Sequence, residues 1–168
     1  MRLYSLLFVC GQLICGSVFS NNLQITGLVK SSTNIVDNYT MIRFSLSWEN
    51  SWRDAENYDA VWIFIKYRLS GSPGAWSHAT LNYINGSNDG HMIPAGTAIT
   101  TPADGKGVFI FRNANGSGNN SFSNVELRWN YGADGLADNA LVDLKVFGIE
   151  MVQVPQGAYW LGDGTNNI

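Results

Sequence analysis

The sequence is poor in cysteine, and both of its cysteines, Cys10 and Cys15, lie within residues 1–20. The chain from about Asn21 onward has none, which excludes a disulfide, a thiolate metal site and a cysteine nucleophile there. A domain of about 148 residues without cross-links must rely on its apolar core, and chains near this length bury roughly 70% of their unfolded surface. We therefore expect a single domain of that size.

Positive charge is also scarce. The formal net charge is −3, and lysines and arginines are scattered singly rather than clustered. A surface of this kind offers no basic stripe for phosphate, which argues against nucleic acid as a partner.

Residues 1–20 have the features of a secretory signal peptide. Arg2 supplies one positive charge before a short apolar core, and the small residues Ser17 and Ser20 surround a cleavage position. The apolar core is interrupted at Gly11 and is shorter than the roughly 20 residues that span a bilayer. The leader predicts an exported protein (periplasmic, cell-surface or secreted) with no membrane span in the mature chain.

The rest of the chain has the apolar periodicity of β-strands. Every second residue from Ile42 to Trp48 is apolar, which predicts a strand with one face on a core and the other in water. Residues 60–68 are apolar on both faces as far as Lys66, which is typical of a central strand.

Further strands and turns complete the predicted fold. Strands are expected near residues 23–30, 75–83, 107–112, 123–130 and 140–150, turns at 70–74, 85–90 and 113–120, and at most a short helical turn at 54–57. About seven short strands separated by turns predict an all-β protein, an antiparallel immunoglobulin-like β-sandwich with one extra terminal strand, its strand order left open.

Two stretches resemble parts of a known family. The string Met151-Val152-Gln153-Val154-Pro155-Gln156-Gly157-Ala158-Tyr159-Trp160-Leu161-Gly162 resembles the first strand of the formylglycine-generating enzyme (sulfatase-modifying factor) family, whose domains typically begin Met-Val-x-Val-Pro-x-Gly-x-Phe/Tyr-x-Met/Leu-Gly. Residues 44–68 and 76–79 look like the β-module that precedes such domains in some bacterial exported proteins.

The resemblance implies a three-part organisation. Residues 1–20 would be the signal peptide, residues 21–148 a β-sandwich module, and residues 149–168 the first strand of a truncated enzyme-like domain. True family members oxidise a sulfatase cysteine with copper held by two cysteines. That chemistry is not transferred here, because no cysteine follows Cys15.

Three acidic residues lie close together in the sequence. Asp54, Glu56 and Asp59 occupy one polar loop, and a paired-acid hydrolase needs two carboxyl groups about 5 to 10 Å apart. Sequence proximity does not supply that geometry, and an enzyme would also require them to converge with a histidine on a pocket. Solvation or loop capping is the favoured interpretation.

Few residues of this chain could bind a metal ion. His78 and His91 are the two histidines, and a metal would require them to converge with carboxylates. The segment 134–139 offers oxygen ligands for calcium but lacks the spacing of an EF-hand loop, so a plain turn is favoured. We assign no catalytic residue, metal ligand or cofactor to this chain.

The sequence is rich in tryptophan, and the positions of these residues are informative. Trp48 and Trp129 alternate like inward residues, whereas Trp52 and Trp76 have polar neighbours. Exposed aromatic faces stack on sugars or pack on partners. The sequence therefore predicts a non-catalytic accessory module that supports the following enzyme-like domain or binds a surface protein. The alternative is a carbohydrate-binding module that holds a glycan through Trp52, Trp62 and Trp76.

Overall fold

The computed structural model describes residues 21–153, and its regular structure is entirely β. The strands are β1 (Gln24–Asn34), β2 (Tyr39–Arg53), β3 (Tyr58–Leu69), β4 (Ser77–His78), β5 (Thr97–Thr100), β6 (Val108–Arg112), β7 (Gly116–Trp129) and β8 (Val142–Gln153). All pairings are antiparallel, so the predicted all-β antiparallel fold is confirmed. Within residues 21–153, no helix has the length and apolarity to cross a membrane.

The strands form one curled sheet that folds into two layers. The first layer has the order β1-β2-β7, and the second has the order β8-β3-β6-β5, with β4 beside the end of β3. The layers are joined where β2 runs into β3, because these two long strands pair only at Arg53 and Tyr58 and then diverge. The result is a sandwich-like fold with its core between the layers.

The alternating pattern of the sequence decides which side chains enter that core. Phe44, Leu46 and Trp48 of β2 are buried, as are Val61 and Ile63 of β3, while the residues between them face outward. The same alternation buries residues of β6 and β7, namely Val108, Ile110, Val125, Leu127 and Trp129. The layers approach closely at Gly148 of β8, where an added Cβ would lie 3.1 Å from atoms of Leu23 and Ile25.

A buried carboxylate fastens the junction of the two layers. Asp59, the second residue of β3, is 2% exposed and accepts hydrogen bonds from the Trp48 indole Nε1 at 2.5 Å, the Ser51 hydroxyl at 2.8 Å and the Trp52 backbone N–H at 2.9 Å. Asn120 of β7 in turn donates to the Ser51 hydroxyl at 2.6 Å. This network ties β2, β3 and β7 together where the sheet folds over.

A second carboxylate fastens the opposite end of the β2–β7 pair. Asp134 follows β7 and accepts from the Trp129 indole Nε1 at 2.7 Å and from the Thr80 hydroxyl and backbone N–H at 2.6 and 2.9 Å. Trp129 pairs with Thr40 at one end of the ladder, whereas Trp48 lies further along it, opposite Asn120 and before the last pairs at residues 51–53. Each buried indole thus has its N–H satisfied by a carboxylate.

Three sequence predictions of local structure are corrected. Residues 116–120 of the predicted turn are strand, because their backbone pairs with residues 48–53 of β2 without needing apolar side chains. The predicted strand 75–83 is reduced to Ser77–His78, because the backbone of residues 79–82 bonds to three different elements. Residues 54–57 form a bend rather than a helical turn, and strand β5 was not predicted.

The segment that the family resemblance assigns to a following domain begins within β8, the last strand of this fold. Residues 149–153 continue β8 and pair with residues 58–62 of β3. Residues 154–168, like the predicted leader 1–20, lie outside the described residues. The domain boundary at residue 148 and the leader therefore stay predictions.

We predict that Asp59→Ala lowers the free energy of unfolding by about 3 kcal/mol or more, because it leaves two buried donors and the part-buried Trp52 N–H without their acceptor. Urea unfolding followed by tryptophan fluorescence measures the loss. Glu56→Ala, three residues away on the exposed bend, is the matched control and should change little. Equal unfolding midpoints for the two variants would contradict the structural role given to Asp59.

Candidate functional site

The outer faces of the two layers differ in chemistry. The outer face of β1-β2-β7 carries Arg43, Ser45, Ser47, Ser121 and other polar residues. On the outer face of β8-β3-β6, by contrast, neighbouring strands present large apolar side chains to one another. Asymmetry of this kind marks the second face as the candidate functional surface, because contiguous exposed apolar patches are uncommon on monomers.

This surface, called the aromatic face below, comprises six residues: Trp62, Phe64, Phe109, Phe147, Ile149 and Met151. Trp62 packs on Phe109 with ring centroids 4.6 Å apart, and Phe64 stacks on Phe147 at 5.2 Å. The members from β8 are open to solvent, with Phe147 41%, Ile149 52% and Met151 45% exposed. Burial of the opposite side of β3 in the core fixes this orientation, since side chains alternate along a strand.

Gly107 makes room for the central ring of the face. A Cβ at residue 107 would lie 2.4 Å from a ring carbon of Trp62, closer than atoms can approach. The indole therefore passes directly over Gly107, just before β6, and meets Phe109. The absence of a side chain at residue 107 thus positions Trp62.

A groove crosses the aromatic face at the end nearest the β2–β3 junction. One cleft of about 360 Å³ is lined by Tyr58, Ala60, Thr100, Phe109, Phe111, Met151 and Val152. A second cleft of about 350 Å³ continues past Trp62 and Ile149 and shares Phe109 and Met151 with the first. At the rim, Arg53 places its guanidinium 4.9 Å from the Tyr58 ring and 5.3 Å from the Phe111 ring.

The three predicted ligand-binding tryptophans do not form one cluster. Trp62 lies at the centre of the aromatic face, half-buried. Trp76 lies at the far end of β3, where its ring is 4.7 Å from the Arg68 guanidinium and 4.6 Å from the Lys145 ammonium. Trp52 is 36% exposed on β2, in the region where the layers join. Trp62 and Trp76 are thus associated with one layer and Trp52 with the other.

The acidic residues of the β2–β3 connection are not brought together. Asp59 is buried and fully engaged with its three donors, whereas Asp54 caps the bend by accepting from the backbone N–H groups of Glu56 and Asn57 at 2.8 and 2.6 Å. These bonds lower the pKa of the Asp54 carboxyl. Glu56 is exposed. A loop-capping role for Asp54, one of the interpretations favoured above, agrees with this geometry.

The acidic turn after β7 is likewise occupied by hydrogen bonds. Asp134 is bonded to Trp129 and Thr80, and Asp138 accepts from the Tyr131 hydroxyl at 2.8 Å. Within residues 21–153, no group of three or more His, Asp or Glu side chains is placed to hold a metal ion. These aspartates stabilise the turn through their hydrogen bonds.

The two histidines have separate environments. His78 is exposed beside Phe64, with ring centroids 5.6 Å apart. His91 is 4% exposed, and its Nδ1 accepts from the Arg128 backbone N–H at 3.0 Å. The neutral ring therefore carries its proton on Nε2, which lies 3.2 Å from the Thr101 hydroxyl oxygen. Sequence reasoning had not anticipated this buried site.

Burial controls the protonation of His91. It lowers the pKa of His91 to about 4, and the positive charge of Arg128 acts in the same direction against the opposing effect of Asp89. Asp89 itself is buried, which raises its pKa, but the backbone N–H groups of Asn85, Ile84 and Gly86 outweigh this and lower it overall. The pair therefore consists of a neutral imidazole and a charged carboxylate at neutral pH.

Comparison with known proteins adds no constraint on the site: no protein-family model, no curated protein and no solved structure matches this chain. Functional conclusions must therefore be drawn from the residues and their geometry.

We predict that the protein loses about 2 kcal/mol of stability between about pH 7 and pH 5 through His91. The pKa of His91 is depressed by folding, so the unfolded chain binds the proton more tightly and stability falls as the pH drops below about 6.5. Urea unfolding at several pH values measures this slope. His91→Asn should flatten it, whereas His78→Asn at the exposed histidine should leave most of it; equal slopes in all three proteins would contradict the assignment.

Proposed function

We propose that this chain is a non-catalytic, exported accessory module that packs against a following protein domain through its aromatic face. The observation that carries the proposal is that β3 is apolar on both sides. One side is buried in the core through Val61, Ile63 and Ile65, while the other presents Trp62 and Phe64. Strands that are apolar on both sides occur in sheets that are covered on both faces.

The composition of β8 supports the same conclusion. On the inner side, Val146 packs against the core and Gly148 lies against β1. On the outer side, Phe147, Ile149 and Met151 are exposed in a row. A row of three apolar residues on an outer strand exposes surface that would be stabilised by burial, at about 25 cal/mol for each Å² removed from water.

The position of the strand favours the polypeptide that follows as the partner. The described part of β8 runs to Gln153, which pairs with Tyr58 on the groove side of the aromatic face. A domain that follows closely is held at a high local concentration, which favours its packing there over that of a separate protein.

The resemblance of residues 151–162 to the first strand of the formylglycine-generating enzyme family suggests the kind of domain that follows. On this proposal, the module supports an enzyme-like domain and contributes no catalytic group of its own. Export rests on the leader-like residues 1–20. A surface protein in place of the following domain would use the same face.

Carbohydrate binding is the second candidate function. It is favoured by the presence of Trp62 and Trp76 beside one layer, because planar aromatic rings stack on sugars. It is disfavoured by their packing: Trp62 is engaged with Phe109, and the Trp76 ring has a cation from Arg68 and another from Lys145 over it. Contact with a protein domain uses the exposed Phe147, Ile149 and Met151 as well, so we place it first.

The domain hypothesis is tested with the polypeptide encoded beyond Ile168 in the natural gene, produced as a separate protein. We predict that it resembles the formylglycine-generating enzyme family and binds this chain, and that Ile149→Lys weakens binding by roughly tenfold or more, as for a residue central to an interface. Titration calorimetry measures both affinities. Val29→Lys, at a similarly exposed valine of β1, is the matched control and should bind like the unmodified chain. Equal affinities for the two variants would place the interface elsewhere.

The glycan hypothesis is tested on a polysaccharide and glycan array. If it is correct, the chain binds a defined glycan and Trp76→Ala abolishes the signal, because the substitution removes the ring on which the sugar would stack. Trp52→Ala distinguishes the two layers, since only Trp62 and Trp76 are associated with β3 and β8. We predict no array signal from the unmodified chain, and a specific signal lost in Trp76→Ala would reverse the order of the two candidates.

A further inference from the structure

We infer that the end of the aromatic face opposite the groove binds carboxylate side chains of a protein partner. The site, called the cationic row below, consists of His78 of β4, Lys66 of β3 and Lys145 of β8, which lie side by side across three neighbouring strands. The inference rests on the proposed docking role of the aromatic face, and it names the charge that the partner carries at one end.

The cationic row continues the aromatic face along the same two strands. Phe64 pairs with Phe147, and the next pair on the same side of the sheet is Lys66 with Lys145. Side chains alternate along a strand, so these four residues share one face. A partner that covers the two stacked rings therefore also reaches both lysines.

The positive charge of the row is not neutralised. Lys66 and Lys145 are directly opposite each other in the β3–β8 ladder, where side chains start roughly 5 Å apart and like charges destabilise a sheet. Within residues 21–153, neither lysine forms a salt bridge. A bound carboxylate would relieve the repulsion between the two ammonium groups.

The acid nearest to the row along β8 is already engaged elsewhere. Asp143 accepts from the Arg68 Nε at 3.0 Å and from the Ser70 hydroxyl at 2.9 Å, with one carboxyl oxygen for each donor. These hydrogen bonds lower the pKa of Asp143. Asp143 is therefore charged at neutral pH, but it serves Arg68 and Ser70 rather than Lys145.

His78 completes the row as a neutral hydrogen-bond donor. Desolvation lowers the pKa of His78, and the charges of Lys66 and Lys106 act in the same direction, against the opposing effect of Asp104. The lysines therefore supply the positive charge of the row at neutral pH. The exposed imidazole still has one N–H to donate to a carboxylate.

The surroundings of the row favour an acidic polypeptide over a sugar. The Trp76 ring centre lies 4.7 Å from the Arg68 guanidinium and 4.6 Å from the Lys145 ammonium, so cations occupy ring surface that a sugar needs for stacking. An acidic polypeptide offers carboxylates to the lysines and apolar side chains to Phe64 and Phe147. Two lysines are too few to follow the phosphate backbone of a nucleic acid.

Fluorescence anisotropy of the full chain with a labelled peptide tests the inference at low salt. The probe is a short peptide of glutamate, leucine and serine, and its matched control has glutamine in place of every glutamate. The protein variants are Lys145→Gln, the double variant Lys66→Gln with Lys145→Gln, and Lys30→Gln. Lys30 is exposed on β1, in the other layer, so its substitution removes the same charge from elsewhere.

We expect the glutamate peptide to bind more tightly than the glutamine peptide. Lys145→Gln should weaken this binding by roughly threefold and the double variant by roughly tenfold, as for ion pairs near a surface, whereas Lys30→Gln should leave it nearly unchanged. Added salt should weaken it as well. Equal affinities of the two peptides, or of Lys145→Gln and Lys30→Gln, would overturn the inference.

Two further measurements identify other occupants. Polygalacturonate that binds more tightly than the glutamate peptide, and loses affinity in Lys145→Gln, would assign the row to an acidic glycan. A dimer of the unmodified chain in sedimentation that dissociates in Lys145→Gln would assign it to a second copy of this chain. Either result would overturn the assignment to an acidic partner protein.

These outcomes are separable from the test of the proposed function. The peptide probe requires no polypeptide encoded beyond Ile168, so its failure leaves the binding of that polypeptide through Ile149 unaffected. Conversely, failure of that polypeptide to bind does not alter the affinities expected for the two peptides.

Discussion

The fold depends on one buried carboxylate at the place where the sheet turns over on itself. β2 and β3 are long strands that separate after a single shared pair, Arg53 with Tyr58. Beyond this pair, β2 and β3 share no backbone ladder that could hold the two layers together at the junction. Asp59 supplies this connection by accepting from the side chains of Trp48 and Ser51, because a carboxyl group can be buried where its oxygens are hydrogen-bonded.

The same chemistry recurs at the far end of the core. Asp134 binds the indole of Trp129, so both fully buried tryptophans of the β2–β7 ladder, Trp48 and Trp129, are anchored through their N–H groups. Aspartates that read as candidate catalytic or calcium-binding residues in the sequence thereby have structural roles. Their carboxyl oxygens are engaged by indole, hydroxyl and backbone donors.

Much of the fold could be predicted from the sequence, because apolar and polar residues alternate in the sequence wherever one face of a strand is in water. The buried positions of Phe44, Leu46 and Trp48 follow directly from that pattern, as does the central position of β3. Residues 116–120 could not be identified as strand, since a Gly- and Asn-rich segment pairs through its backbone alone. The four-residue β5 is too short to show a period.

The candidate site was harder to predict, because it depends on pairing between distant segments. Trp62 was identified from its residue type, but its neighbours Phe109 and Ile149 come from β6 and β8, and nothing in the sequence fixes their register. The separation of Trp52 from Trp62 and Trp76 follows from the division of the strands into two layers, which periodicity cannot supply. The hydrogen bonds of His91 also come from residues remote in sequence, the Arg128 backbone N–H and the Thr101 hydroxyl.

The pairing of β8 with β3 has a consequence for how the protein is made. Tyr58 is the first residue of β3, yet its partner is Gln153, the last of the described residues. Until β8 has been synthesised, one edge of β3 is unpaired, and the backbone groups along it can form hydrogen bonds only with water. Contacts so distant along the chain slow folding, and the unpaired edge of β3 is open to association with other chains until β8 pairs with it.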